Sequence, residues 1–296
     1  MVSVIIVNYN TPDLTLNCVK SVLKFTHNID YEIIVVDNAS PKNKIIADDY
    51  KDYKCVKVVF SESNLGFAGG NNLGLKYAVG DLVLLLNSDT ILKDNAIKIA
   101  ADKFAEMPRC GALTVRLVYP DGNLQYPAQR CPSLRLELRE LFRINKFTKP
   151  EKKSKLYLGG AFAHDIPTNC DWIFGTFFLT SKSVIDSVLG GKFPDDFFMY
   201  AEDMQWCFML LKHGFQPYFC PDAEVIHLGG ASMDKTSEVE KYYKSMFPNT
   251  FAAVAQYKGK FHTKLIYFVR ILHLLTLRNA EDRYKAKKFW EFLKNA

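Results

Sequence analysis

Four short apolar runs recur in the first ninety positions, and each stops on polar residues. SVIIV (3–7) meets Asn8-Tyr9-Asn10, and YEIIVVD (31–37) runs into Asn38-Ala39-Ser40. CVKVVF (55–60) precedes Asn64-Leu65-Gly66-Phe67-Ala68-Gly69-Gly70-Asn71, and DLVLLL (81–86) ends in Asn87-Ser88-Asp89-Thr90. Helical patterns lie between them. Thr11-Pro12-Asp13 offers a cap, a proline at the first helical position and an acid in the first turn, ahead of Leu14, Leu16, Val19, Val22 and Leu23. A polar helical stretch is expected after Pro41, a helix from about Ala68 to Ala78, and another over Asp94 to Phe104 that Pro108 and Gly111 end. Strands apolar on both faces, alternating with helices, predict an α/β fold: a Rossmann-like, mostly parallel sheet with helices on both faces. Ligands of such sheets bind beyond the carboxyl ends of the strands.

After residue 110 the pattern changes. TVRLVYPDGNLQY predicts two strands around a Pro-Asp-Gly-Asn turn, and residues 128 to 165 are charged and irregular, with RLELRELFR as a short helix in an expected acceptor-side insertion. DWIFGTFFLTS (171–181) reads as a strand, AEDMQWCFMLLKHGF (201–215) as a helix and EVIHL (224–228) as another strand. Of 296 residues 48% are hydrophobic, ample for a large core and incompatible with a disordered chain. The seven cysteines are scattered and contain no C-x-x-C pair, which points to neither a zinc site nor a disulfide framework and fits a reducing cytosol. The N-terminus lacks the pattern of a signal peptide, so the fold is expected to begin directly.

The polar residues after the four strands converge on one crevice. An aromatic ring and an acid, Tyr9 and Asp37, suit stacking on a base and accepting from its N–H. Glycines such as Gly66, Gly69 and Gly70 let backbone N–H groups approach phosphate. The carboxylate of Asp89 at a strand tip suits Mg²⁺ or Mn²⁺ bridging a diphosphate, because these ions take few protein oxygens. Taken singly, Asp37-Asn38 and Asn87-Ser88-Asp89 are equally good turn formers or helix caps. Their recurrence at successive strand ends favours a nucleoside-diphosphate site.

VSVIIVNYN, VVDNAS, NLGFAGGNNLG, LLLNSDT, DWIFGTFFLTSK, FFMYAEDMQWCFMLLKHGF and VIHLGGAS, in that order over residues 2 to 232, resemble the family 2 glycosyltransferases of the GT-A fold, in particular the rhamnosyltransferase branch that builds bacterial surface polysaccharides. The resemblance implies inverting, metal-dependent sugar transfer. Donor contacts would come from Val7, Tyr9, Asn10, Asp37, Asn38, Asn64, Gly66, Phe67, Gly69, Gly70, Asn71, Asn87, Ser88 and Asp89. NSDT resembles the family's D-x-D metal motif with Asn87 in place of the first acid. His227, in a motif like H-x-x-G-x-S, would join Asp89 at the metal. Asp203 would be the catalytic base, with Glu202 beside it, and Trp172, Gly175 and Thr176 would wall the acceptor or sugar. By position alone, Glu202 and Asp203 are also what a helix dipole favours in a first turn, and a histidine or aromatic in a short strand is commonly core. Where this branch has an acid and an arginine after Glu-Asp, the chain has Gln205 and Met209.

The tail raises a separate question. Residues 256 to 296 hold ten Lys or Arg against three acids, leaving 28 basic and 29 acidic residues for the rest. FHTKLIYFVRILHLLTLRN (261–279) is apolar nearly all round yet interrupted by Lys264, Arg270 and His273, which makes it a poor membrane-spanning helix. EDRYKAKKFWEFLKN then interleaves basic residues with Phe289, Trp290 and Phe292. An interfacial helix pair on anionic lipid and a hairpin that packs on the body or forms a dimer fit this pattern equally. The expected organisation is a GT-A domain over 1–255 and a C-terminal helical extension over 256–296. The expected partners are a nucleotide-sugar donor, a polyprenyl-diphosphate-linked sugar acceptor, an anionic membrane surface and, in the packing alternative, a second copy, with no nucleic acid. The expected location is cytoplasmic, peripheral on the inner face of the plasma membrane. The donor is left open between dTDP-rhamnose and a UDP-sugar. A nucleotidyltransferase would want a basic glycine-rich loop after the first strand, where NYNTPD has none. A non-catalytic sugar-nucleotide-binding scaffold is the alternative of another class.

Overall fold

The four apolar runs become the parallel strands β1 (Val2–Asn8), β2 (Tyr31–Asp37), β3 (Val56–Phe60) and β4 (Leu82–Asn87) in the computed structural model, which describes residues 1–229, 242–277 and 279–296. They lie in the order β3-β2-β1-β4. The chain moves outward from β1 to β3 and then returns to the other side of β1. β1 and β4 therefore flank the point where the winding reverses, and a crevice opens beyond their carboxyl ends. The register puts Asn8 opposite Asp37 and Val7 opposite Asn87, so the polar strand tips stand in one row.

Helices α1 (Pro12–Phe25) and α2 (Gly66–Leu75) cover this half of the sheet, and α3 (Ala96–Glu106) packs farther along it. Both strand faces are consequently buried. Val4, Ile6, Val19, Val22, Ile33, Val35, Leu84 and Leu86 belong to one continuous core, while Ile5 and Val36 receive α2 on the other face. Two expectations shift here. Thr11 flanks α1 but makes no side-chain cap, because its hydroxyl donates to Asn8 Oδ1 instead. After Pro41 there is no α-helix, only a 3₁₀ turn at Ala47–Tyr50, since the Asp37 carboxylate captures the N–H groups of Ser40 and Ile45 and holds the segment as a loop.

The chain continues through β5 (Thr90–Leu92), β6 (Cys110–Val118), the two-residue β7 (Ala128–Gln129), and the short helices α4 (Leu134–Leu141) and α5 (Pro150–Tyr157). β8 (Thr168–Asn169), β9 (Trp172–Ile173), β10 (Phe177–Ser181), α6 (Lys182–Val188), α7 (Glu202–Lys212) and β11 (Gln216–His227) follow, and α8 (Phe247–Lys258), α9 (Lys260–Thr276) and α10 (Ala280–Asn295) end the chain. The sheet extends as β4-β10-β6-β11-β5. β10 runs antiparallel to β4 and β6, β11 parallel to β6, and β5 antiparallel to β11. The strand predicted to follow the Pro-Asp-Gly-Asn turn shrinks to a single bridge between Val118 and Leu124.

Residues 1–128 and the described residues of 164–229 form one compact unit around this sheet. Residues 129–163 and the described residues from 242 onward form a second. Its core is aromatic: Phe247, Phe251, Tyr267, Ile271, Ala286 and Phe289. Arg270 of α9 donates from Nε to Glu137 of α4 at 3.0 Å, so the irregular stretch after residue 128 groups with the tail helices. The boundary expected at residue 255 falls inside α8.

The glycines of α2 set how closely it meets the sheet. A Cβ on Gly74 would stand 2.5 Å from Ile5 Cγ2 and 3.2 Å from Val36 Cγ2, and one on Gly70 would stand 2.9 Å from Val7 Cγ1. Gly74→Val should therefore destabilise the fold by about 1–3 kcal/mol through overpacking. Chemical denaturation of variant and wild type checks this, and equal midpoints would mean that α2 can move away from β1.

Candidate active site

The floor of the crevice is a polar network at the ends of β1 and β2. Asp37, 2% exposed, accepts from Asn8 Nδ2 (2.9 Å) and Ile45 N (3.0 Å) on Oδ2, and from Ser40 N (2.9 Å) on Oδ1. Asn8 also donates to Ser40 Oγ, and its Oδ1 accepts from Thr11 and Thr15 at the start of α1. Asn10, at a left-handed φ of 61°, accepts from the N–H groups of Lys42 and Asn43. Three donors on one carboxylate leave about one acceptor position unused. Tyr9 is 39% exposed at this rim, a ring free to stack.

Asn38 and the glycine-rich segment form the adjoining wall. Asn38 donates to Asn64 Oδ1 and the Gly66 carbonyl, and accepts from Leu65 N. Asn71, within α2, donates to the Phe67 carbonyl. Gly66 sits at φ +72°, and a Cβ there would meet the Phe198 carbonyl oxygen at 2.3 Å. A Cβ on Gly69 would stand 2.7 Å from Leu65 Cβ. The space these glycines provide is filled by the chain's own atoms, so packing accounts for Gly66, Gly69 and Gly70.

The tip of β4 connects the remaining parts. Asn87 N donates to the Thr176 carbonyl (3.0 Å), and Gly175 N donates to Asp203 Oδ2 (2.9 Å), which brings the Asn-Ser-Asp stretch beside the start of α7. The Ser88 and Thr11 hydroxyls lie 3.5 Å apart. Gly175 packs under the Phe67 ring, where a Cβ would stand 3.0 Å from Cε1, and this turn divides DWIFGTFFLTS into β9 and β10. Trp172 and Phe174 lie ring to ring at 5.5 Å, and the Trp172 Nε1–H is buried with no hydrogen-bond partner among the described residues.

Asp89 meets His227, because β5 pairs with the end of β11 through Thr90 and His227, and Leu228 N donates to the Asp89 carbonyl. His227 Nε2 lies 3.3 Å from Asp89 Oδ1. On the other side of the ring is Gln125, 6% exposed, whose Nε2 donates to the His227 carbonyl (2.8 Å) and so turns Oε1 toward Nδ1 (2.6 Å). An amide oxygen only accepts, so Nδ1 carries the hydrogen and Nε2 is the nitrogen that faces Asp89. The Asn87 Oδ1 is buried with no partner among the described residues. A carboxylate, an imidazole nitrogen and an orphaned amide oxygen at one strand tip fit a divalent cation of the Mg²⁺ or Mn²⁺ class, and a diphosphate could supply further oxygens. Among the described residues no third His, Cys, Asp or Glu completes a protein-only metal cage. Gly230, Ala231 and Ser232 of the expected H-x-x-G-x-S motif lie outside the described residues.

Glu202 and Asp203 open α7, whose start is held by packing. Trp206 is fully buried against Phe178 and Phe193 and donates to the Pro194 carbonyl, and Phe67 stacks on it. Two successive residues before the helix, Tyr200 and Ala201, have left-handed φ of 71° and 72°, strain that this packing and the Phe67–Phe198 backbone bond sustain. Gln205 donates to Asp196. Asp203 Oδ1 also accepts from Met204 N. Burial holds both carboxyls above the usual range, and the neighbouring Asp203 charge lifts Glu202 further. Glu202 Oε2 is buried with no partner among the described residues.

Residues 3–169 match the model of the glycosyl transferase family 2, and the chain belongs to that family. It is similar to the rhamnosyltransferase WbbL of Escherichia coli K12, 27% identical over 268 residues that cover 86% of this chain and 93% of the relative. It is also similar to the N-acetylglucosaminyl-diphospho-decaprenol L-rhamnosyltransferase of Mycobacterium tuberculosis, 25% identical over 73% of each chain. Among solved structures, the fold resembles a mannosyltransferase from Pyrobaculum calidifontis in complex with GDP-Man and Mn²⁺ (TM-score 0.61, 16% identity, covering 96% of this chain and 73% of that one). It likewise resembles GalNAc-T7 with UDP, GalNAc and Mn²⁺ (TM-score 0.64, 18% identity, covering 99% and 55%). The chain has the GT-A fold, and it is a rhamnosyltransferase-like member of its family.

A buried, raised Glu202 carries a pH signature. Above about pH 4.5, the ordinary value for glutamate, the unfolded chain loses this proton while the folded chain keeps it. The folded state then binds more protons, so Glu202 lowers stability as pH rises through that window. Glu202→Gln should melt higher than wild type at about pH 8 and close to it at about pH 4, below the window. A difference that does not change with pH would mean that the Glu202 carboxyl titrates alike in the folded and unfolded chain.

Proposed function

We propose that the chain transfers a hexose or deoxyhexose from a nucleoside-diphosphate donor to a sugar acceptor carried on a lipid diphosphate, with inversion, in the synthesis of a cell-surface polysaccharide. The observation that carries this reading is the chain of contacts linking Asp89 and His227, through Asn87, Thr176 and Gly175, to the raised carboxyl of Asp203. Rhamnose is the favoured sugar and dTDP the favoured carrier, because the two relatives named above are rhamnosyltransferases. The mycobacterial relative's name specifies an acceptor on decaprenyl diphosphate, which supports a lipid-linked acceptor here and a site of action at the cytoplasmic membrane surface.

The donor's base would lie on Tyr9, with the last acceptor position of Asp37 taking a base N–H. Asn10, Ser88 and Asn87 line the route from there to Asp89. Asn38, Asn64, Asn71 and the glycines would serve the donor indirectly, by holding this wall. Asp89 and His227 would hold a divalent cation, with Asn87 Oδ1 as a further oxygen, and the bound ion would neutralise charge developing on the leaving diphosphate. Gln125 would fix the ring so that Nε2 is the ligating atom. Asp203, oriented by Gly175 N, would take the acceptor hydroxyl proton as the sugar moves. A carboxyl raised toward neutrality is the better base near physiological pH, and turnover should fall as acid protonates it. Trp172, whose N–H has no partner among the described residues, and Thr176 would border the sugar.

Asp203→Asn should retain donor affinity and lose turnover by about 10²- to 10⁴-fold. Steady-state transfer, donor titration and melting temperature on the same samples check this, and a folded variant with wild-type turnover would overturn the assignment. The metal reading has a separate test in binding. Asp89→Asn should weaken nucleoside-diphosphate affinity in Mn²⁺ and change little in EDTA, while Gln125→Leu should weaken the Mn²⁺-dependent part by about 10- to 100-fold. Unchanged Mn²⁺ dependence in both folded variants would remove the cation from this strand tip.

A further inference from the structure

Helix α9 is apolar on two opposite faces, and only one of them is used inside its unit. Thr263, Ile266, Tyr267 and Ile271 are buried on the inner side. On the other side Phe261, Leu265, Phe268, Leu272 and Leu275 fall within an arc of about 80° at 100° per residue, and they run about 21 Å along the helix. Four of the five are exposed, Phe261 at 83%, Leu275 at 56%, and Phe268 and Leu272 with them, while Leu265 is half-buried. Trp290 of α10, likewise exposed, extends the stripe, its ring centroid 6.4 Å from that of Phe268. A contiguous apolar stripe of this kind marks a contact with something apolar.

Charge decides which partner fits. Residues 129–163 and 237–296 hold 21 Lys or Arg against 8 Asp or Glu, net +13, while the remainder holds 17 against 24, net −7. Cations also frame the stripe itself. Lys264 lies at its edge on α9, Lys294 Nζ sits 5.3 Å from the Trp290 centroid, and Lys287 is one turn from Trp290 on the same helix. A second copy bound face to face would set these cations against each other. A nucleic acid would be drawn to the charge but would leave the aliphatic stripe uncovered. An anionic bilayer surface satisfies both features, with Phe and Leu entering the acyl boundary, Trp at the headgroup level and Lys on the phosphates. No described helix is long and apolar enough to cross a membrane, which is consistent with a helix lying in the interface.

We infer that the outer face of α9, with Trp290, is a membrane-docking surface selective for anionic lipid. It stands independently of the sugar-transfer reading, although it would bring a lipid-linked acceptor within reach of the enzyme. The full chain is floated with phosphatidylcholine vesicles and with vesicles containing phosphatidylglycerol, at low and high salt. Wild type should partition to the phosphatidylglycerol vesicles, less at high salt. The variant Phe261→Asn, Phe268→Asn, Leu272→Asn, Leu275→Asn should keep its melting temperature and lose partition by about ten-fold or more. Lys264→Glu with Lys287→Glu and Lys294→Glu should lose the preference for phosphatidylglycerol. Brominated lipid should quench wild type more than Trp290→Phe. Asp203→Asn should float like wild type, so failure of the docking idea and failure of the catalytic reading remain distinct. Unbound wild type, equal partition of the apolar variant, or a vesicle-indifferent dimer that this variant converts to monomer would each overturn the inference.

Discussion

Asp37 is a carboxylate buried at the end of a central strand, and the geometry of the crevice depends on how it is satisfied. Isolated in the interior, its charge would be very costly. Three donors from two segments, the Asn8 amide of β1 and the N–H groups of Ser40 and Ile45 in the loop after β2, converge on its two oxygens. Those bonds close the loop after β2 and suppress the helix that follows Pro41 in the sequence pattern. They also clamp Asn8, whose other end caps into α1 through Thr11 and Thr15. Tyr9 and Asn10 are thereby set at the rim, one exposed and the other in a left-handed conformation that an asparagine tolerates.

A second constraint couples the glycine-rich segment to the acids of α7. Gly66 lies so close to the Phe198 carbonyl that no side chain could stand there, and Phe67 N donates to that same carbonyl. Phe67 then stacks on Trp206 and covers Gly175, the residue whose N–H orients Asp203. Residues that a motif reading assigns to phosphate thus hold the wall against which the Asp203 carboxylate is placed. The strand-end side chains face the crevice, while the adjacent glycines maintain the spacing of its wall.

Much of this was legible in the chain because it is local. The limits of β2 follow from its apolar run, and the placing of Asn87 and Asp89 at a strand tip from the abrupt end of LVLLL. What was not legible depends on distant partners. Gln125 carries no local signal, since its role arises only when the turn before it returns to His227, 102 residues away. Asn8 sits inside an apolar pattern as its last member, and only its contact with Asp37 reveals its weight. The split of DWIFGTFFLTS at Gly175 depends on Asp203 28 residues on, and residues 129–163 join the tail helices through contacts such as Glu137 with Arg270, 133 residues apart. Periodicity cannot see any of these.

In the proposed function the ends of β1, β2 and β4 with the end of β11 form one nucleoside-diphosphate site. Hydrogen–deuterium exchange of the full chain, with and without dTDP or UDP in the presence of Mn²⁺, addresses it directly. Slower exchange is expected in peptides that contain residues 8–11, 37–40, 87–90 and 225–228, with α9 and α10 unaffected. Protection confined to the helices after residue 242, or no protection by either nucleotide at saturating concentration, would contradict it.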